Sequence, residues 1–174
     1  MFGFVMRSDP PMNAGMLFQS EHIETLKSLA RFLSATKDPW WVLGSAAIAL
    51  TGTDPDGIRD IDVLVSLRDS AELMRLHQLE NQADGGNALF RSDVFLRPQL
   101  GPVPVEVMSN YCINAGGEWD PLSPKTRERV ELAGAQLYVP DLLEQVKILR
   151  SLGRPKDLQR IALLQSAHPE LATL

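Results

Sequence analysis

Apolar positions along the chain fall into two alternating rhythms, and these divide it into helices and strands. Behind Ser20, a candidate N-cap followed by Glu21 and Glu24, the residues Ile23, Leu26, Ala30 and Leu33 recur at helical spacing. The spacing predicts an amphipathic helix that ends before Asp38-Pro39, with one of Trp40 and Trp41 buried beyond it and the other facing out. Trp41-Val42-Leu43 is a short apolar run that reads as a strand, Gly44-Ser45 breaks it, and the small apolar residues Ala46 to Leu50 read as a helix. A polar loop from Thr51 to Gly57 leads to a β-type run, Arg59 to Val65. Asp69-Ser70-Ala71-Glu72 is a capping-box pattern that opens a helix to about Gln82, with Leu73, Leu76 and Leu79 on one face.

The second half is more broken. Asp84 to Asn87 is a turn, Ala88 to Leu96 alternates as a strand, and Pro98 to Pro102 connects it to a second strand, Val103 to Met108, as a hairpin. Residues 110–119 read as a short strand or loop bent at Gly116-Gly117, and 125–131 as polar loop or a helical turn. A strand is expected around Gln136 to Val139. Asp141 caps a helix that runs to Gly153, and Pro155 opens a last helix with Leu158, Ile161, Ala162 and Leu164 turned inward. These elements predict an α/β (α+β) fold, a mixed sheet flanked by helices and closed by a C-terminal helical hairpin. The expected division is a leader over 1–16, a core over 17–139 and the hairpin over 140–174.

Two stretches carry candidate chemistry. Gly44 permits a close approach or an unusual turn, and Ser45 suits an N-cap, so the N–H groups that open the following helix form a candidate phosphate site. In Asp60-Ile61-Asp62-Val63, side chains two apart share a strand face, so both carboxylates project together with Ile61 and Val63 opposite. Two adjacent carboxylates repel unless a cation joins them, and Mg²⁺ is commonly held by one or two carboxylates plus substrate phosphates. The phosphate turn and the acidic strand therefore imply each other.

Leu43-Gly44-Ser45 followed by Asp60-Ile61-Asp62-Val63 resembles the signature of the nucleotidyltransferase superfamily related to DNA polymerase beta. The resemblance implies a third acid on an adjacent strand, and Glu106 within Val103 to Met108 is the candidate. The segment Leu149 to Leu158 is similar to the C-terminal segment of small bacterial nucleotidyltransferase-like proteins, with Lys147, Arg154, Lys156 and Asp157 at the matching positions. It implies transfer of a nucleoside monophosphate from an NTP to a hydroxyl, with release of pyrophosphate. Asp60, Asp62 and Glu106 are then the catalytic and metal-holding acids, for two Mg²⁺ ions. Gly44 and Ser45 bind the β- and γ-phosphates, and Lys147 or Lys156 neutralises the departing pyrophosphate. The implied acceptor is a small molecule, a protein or tRNA, since proteins of this type include antibiotic-modifying enzymes and toxins of toxin–antitoxin pairs. The alternative is a non-catalytic nucleotide- or partner-binding module on the same fold.

Composition narrows the setting. A chain of 174 residues with 44% hydrophobic and 22% charged residues is long enough for a substantial core. A net charge of −5 argues against a protein that coats nucleic acid, so no stable DNA binding is expected. The single cysteine, Cys112, forms no internal disulfide and no cysteine-rich zinc site, which suits a reducing cytoplasm. The apolar start, Met1 to Met6, is too short for a signal sequence or a membrane span. His22, His77 and His168 stand alone on their elements and read as packing residues.

Overall fold

The computed structural model describes residues 14–171. Of the expected leader, residues 1–13 lie outside these, while Ala14 begins a short helix, α1 (Ala14–Leu17), and is itself buried. α2 (Ser20–Phe32) follows, and its N-cap is Gln19, one residue earlier than expected, because the backbone N–H of Gln19 donates to His22 Nδ1. Then come β1 (Trp41–Leu43), α3 (Gly44–Leu50), β2 (Ile61–Leu64) and α4 (Leu67–His77). The short strands β3 (Phe90–Arg91) and β4 (Val94–Leu96) precede β5 (Val105–Ser109), β6 (Cys112–Ala115) and β7 (Glu118–Pro121). The chain closes with β8 (Glu128–Leu132), β9 (Ala135–Val139), α5 (Leu142–Leu152) and α6 (Pro155–Ala167). Among the described residues, no helix is long and apolar enough to cross a membrane.

A mixed four-stranded sheet, in the order β1-β2-β5-β4, organises the molecule. β2 and β5 are parallel, and β1 and β4 flank them antiparallel. Alternation along these strands sends Val42, Ile61, Val63, Val105 and Val107 into the main core, where α2, α3, α4 and the β8–β9 hairpin cover them. The opposite face is also apolar in part. Trp41, Leu43, Leu64 and Met108 pack there with Tyr111 and Ile113 into a smaller core. Trp40 and Trp41 are both buried, with neither facing out, because each packs into a different one of the two cores. The expected strand over 88–96 is broken in two: β3 leaves the main sheet to pair with β6, and only β4 pairs with β5. The region read as polar loop contains β8, which turns back at Ala133-Gly134 to pair with β9.

Three anchors hold these parts in register. Thr25 on α2 donates to Glu21 O and accepts from Val103 N, and Gly101 packs so closely on it that a Cβ there would lie 2.4 Å from Thr25 Oγ1. Glu144 on α5 accepts from the backbone N–H groups of Lys125 and Thr126, which fixes the lead-in to β8. Asp69 does not cap α4. Ser66 does, its hydroxyl accepting from Asp69 N, and the buried Asp69 carboxylate takes the backbone N–H groups of Lys37 and Asp38 ahead of β1. α5 and α6 form the expected hairpin, joined at Gly153 (φ +62°), and with Ile48 of α3 they bury Val146, Leu149, Ile161 and Leu164. Leu158 and Ala162 are exposed instead of inward, since the buried stripe of α6 runs Asp157, Ile161, Leu164.

The Asp69 clamp gives a direct stability test. Asp69→Ala leaves two main-chain donors without an acceptor and should cost about 2–4 kcal/mol, read as a lower urea midpoint with an unchanged denaturant slope.

Candidate active site

Two rows of side chains cross the sheet on the face of the smaller core. In one, Leu43 stands opposite Asp62, and Asp62 opposite Glu106 across the parallel β2–β5 pair. In the next, Trp41 meets Leu64, Leu64 meets Met108, and Met108 meets Phe95. The apolar row closes one side of the acidic row. Together with α3, α5 and α6 they enclose a cleft of about 590 Å³, which Asp60, Asp62 and Glu106 all line. Asp60 sits one residue ahead of β2 rather than in it, yet it reaches the same cleft as Asp62, and Glu106 is the acid that the adjacent strand brings beside them.

Gly44 has φ +64°, a conformation that only glycine adopts at little cost, and a Cβ at this position would lie 3.0 Å from Asp62 Oδ2. The turn and the acidic strand are in direct contact. Ser45, in contrast, does not cap α3: the helix begins one residue earlier, Leu43 occupies the cap position without a side-chain hydrogen bond, and Ser45 is buried.

Electrostatics concentrate on Asp62. Its carboxyl is pushed up from 3.8 to about 7, first by burial and then by the charges of Asp60 and Glu106, while Lys156 and Arg160 pull it down. Those two cations face it from α6. Beside them, Asp157 is fully buried and holds Arg154 at 2.6 Å and Arg160 at 3.9 Å. The Arg154 guanidinium lies 5.5 Å from the centre of the Phe90 ring, which stacks on Tyr111 at 5.7 Å. Tyr111 lines the same cleft, and burial holds its phenol protonated well above the usual range. Lys147 is exposed and is not among the cleft-lining residues. Gln145, Ile148, Leu149 and Leu152 turn that side of α5 inward, and Lys147 falls on the other side. The three histidines are packing residues, with His22 against Ile58 O, His77 against Phe32 and His168 against Thr53.

Arg97 is the residue that sequence reasoning missed. Its Nη2 and Nε donate to Glu106 Oε1 at 3.0 and 3.3 Å. The signal lay in the alternation Phe95-Leu96-Arg97, which puts Arg97 on the cleft side of β4. Among the described residues no group of three or more His, Cys, Asp or Glu is placed to hold a metal ion. The donor set still suits Mg²⁺ completed by substrate phosphates: two carboxylates that line one cleft, one of them destabilised by burial and then by its neighbours' charges.

No protein-family model and no curated protein matches the chain. Solved structures do. A protein from Thermotoga maritima, assigned as a nucleotidyltransferase, superposes with a TM-score of 0.66 and 22% identity, over 88% of this chain and 96% of its own. The antibiotic-resistance factor ANT(2'')-Ia superposes with a TM-score of 0.54 and 11% identity, over 90% and 89%. The chain has the nucleotidyltransferase fold.

Two outcomes follow from this geometry. Gly44→Ala should strain the turn and press on Asp62, with a lower melting temperature. Asp62 keeps its proton up to about pH 7 when folded but releases it near 3.8 when unfolded. Its contribution is complete below about pH 4 and is lost as pH rises through 7. Asp62→Asn should therefore stabilise the metal-free protein at pH 8, on the order of 2 kcal/mol, with the gain vanishing near pH 4 in a pH series of thermal melts.

Proposed function

We propose that the protein is a Mg²⁺-dependent nucleotidyltransferase that moves a nucleoside monophosphate from an NTP to a hydroxyl of an acceptor. The observation that carries this reading is the opposition of Asp62 and Glu106 in one cross-strand row, beneath the cations of α6 and in contact with the Gly44 turn. The fold shared with the structures above supports it, and so does the likeness to an antibiotic-resistance factor, which suits a small-molecule acceptor.

Asp60 and Asp62 would hold Mg²⁺, which supplies charge neutralisation for the triphosphate and the departing oxygen when bound. Gly44, which lines the cleft at the start of α3, takes the β- and γ-phosphates. Lys156 and Arg160, already aimed at Asp62, meet the negative charge that grows on pyrophosphate, and electrostatic preorganisation of this kind is the main source of rate in phosphoryl transfer. Glu106 takes the acceptor's proton. The acceptor oxygen forms a bond to the α-phosphorus as the bond to the bridging oxygen breaks, and the electron pair leaves with pyrophosphate.

The engagement of Glu106 by Arg97 favours a second reading, a nucleotide-binding module without turnover. Thermal melts with each NTP, with and without Mg²⁺, and pyrophosphate release in the same samples distinguish the two. A Mg²⁺-dependent shift is expected, equivalent to about 2.7 kcal/mol at a hundredfold excess over Kd. It should be lost in Asp60→Asn/Asp62→Asn, and turnover should drop roughly 10²–10³-fold in Asp62→Asn. Nucleotide binding without product in any acceptor mixture would support the module, and an unchanged shift in the double variant would remove the acids from the site.

A further inference from the structure

Beside the acids and the cations of α6, the cleft is walled by the segment between α4 and β5, which brings Arg91 and Arg97 to it. Arg91 ends β3 with its guanidinium 4.4 Å from the centre of the Trp119 ring, and Arg97 follows β4 with its guanidinium 4.8 Å from the centre of the Phe95 ring. Both line the cleft that holds Asp60 and Asp62, and Asp84 is the acid of that wall. A guanidinium resting on an aromatic face is oriented, with its N–H edge left free for an anion.

Neither arginine is locked into the fold. Among the described residues Arg91 forms no ion pair, and Arg97 has Glu106, where its Nε and Nη2 converge on the single oxygen Oε1. The Arg97 side chain is 56% exposed, so this pair is weak and exchangeable. A nucleotidyl transfer needs a second substrate, and once Lys156 and Arg160 serve the NTP this is the wall left to receive it.

We infer that the acceptor is itself an anion, a hydroxyl compound that carries a phosphate near the reacting oxygen, and that Arg91 and Arg97 bind this phosphate. The inference rests on the nucleotidyl-transfer reading, since its ligand is the second substrate of that reaction. On binding, Arg97 exchanges Glu106 for the phosphate, and the released carboxylate becomes the proton acceptor for the hydroxyl. A polycationic acceptor, which an acid-lined wall would suit, meets two guanidinium groups here instead.

The test measures equilibrium binding of two phosphate-bearing probes in the presence of Mg²⁺ and a non-hydrolysable ATP analogue. One is a 5′-labelled single-stranded RNA trinucleotide with a free 3′-hydroxyl, and the other is glycerol 3-phosphate. The polyamine antibiotic neomycin is the cationic comparison. At least one phosphate probe should bind, and Arg91→Gln and Arg97→Gln should each weaken it roughly tenfold. Arg97→Lys should recover part of the loss, and neomycin should bind more weakly than the phosphate probe. Binding of the RNA alone makes the acceptor a nucleic-acid end, and binding of glycerol 3-phosphate alone makes it a small phosphorylated molecule. Failure of both probes in the wild type, binding that ignores both arginines, or tighter binding of neomycin overturns the inference. The Mg²⁺-dependent NTP shift is read on the same samples, so its absence in the wild type counts against nucleotidyl transfer separately.

Discussion

Everything around the cleft answers one electrostatic constraint, the placement of Asp62 between Asp60 and Glu106 on a half-buried sheet face. The register of a parallel strand pair imposes it, because side chains alternate with a period of two and a slip by one residue would drive both acids into the valine-lined core. Valines at 63, 105 and 107 therefore fix the position of the carboxylates as much as any polar contact does. The fold compensates the resulting repulsion from outside the sheet, with Arg97 at its edge and Lys156 and Arg160 above it. Asp157 in turn keeps Arg154 and Arg160 in place.

Where period and punctuation agreed, the fold was legible from residues alone. β1 and β2 were readable because short apolar runs met a glycine or an alternating acid pair, and α5 because Asp141 and Gly153 mark both of its ends. Other elements were set by partners distant in sequence. β3 exists because β6 pairs with it, and β8 because β9 folds back on it. Neither has an alternation long enough to announce itself. The inward face of α6 was misjudged for a related reason. Its buried stripe includes a carboxylate, and a hydrophobic-period reading rejects Asp157 unless its arginine partners are known.

The site was legible to a similar depth. Asp60, Asp62, Glu106, Gly44 and Lys156 come together in one cleft, as their sequence context suggested. Ser45 and Lys147 do not take part as expected, the first because α3 starts a residue early and the second because of a rotation around α5. Arg97 escaped notice because its meaning depends on which strand lies beside β4.

The ion triad of α6 has one more consequence. Asp157 has no exposed surface, so its charge is balanced only while the arginines stay close, and those same arginines line the cavity. An anion that draws Arg160 toward itself leaves the buried carboxylate to Arg154 alone. Filling the cleft and packing the C-terminal hairpin are thus coupled equilibria with a residue in common, and the cohesion of α5 against α6 becomes a gauge of what the cavity contains.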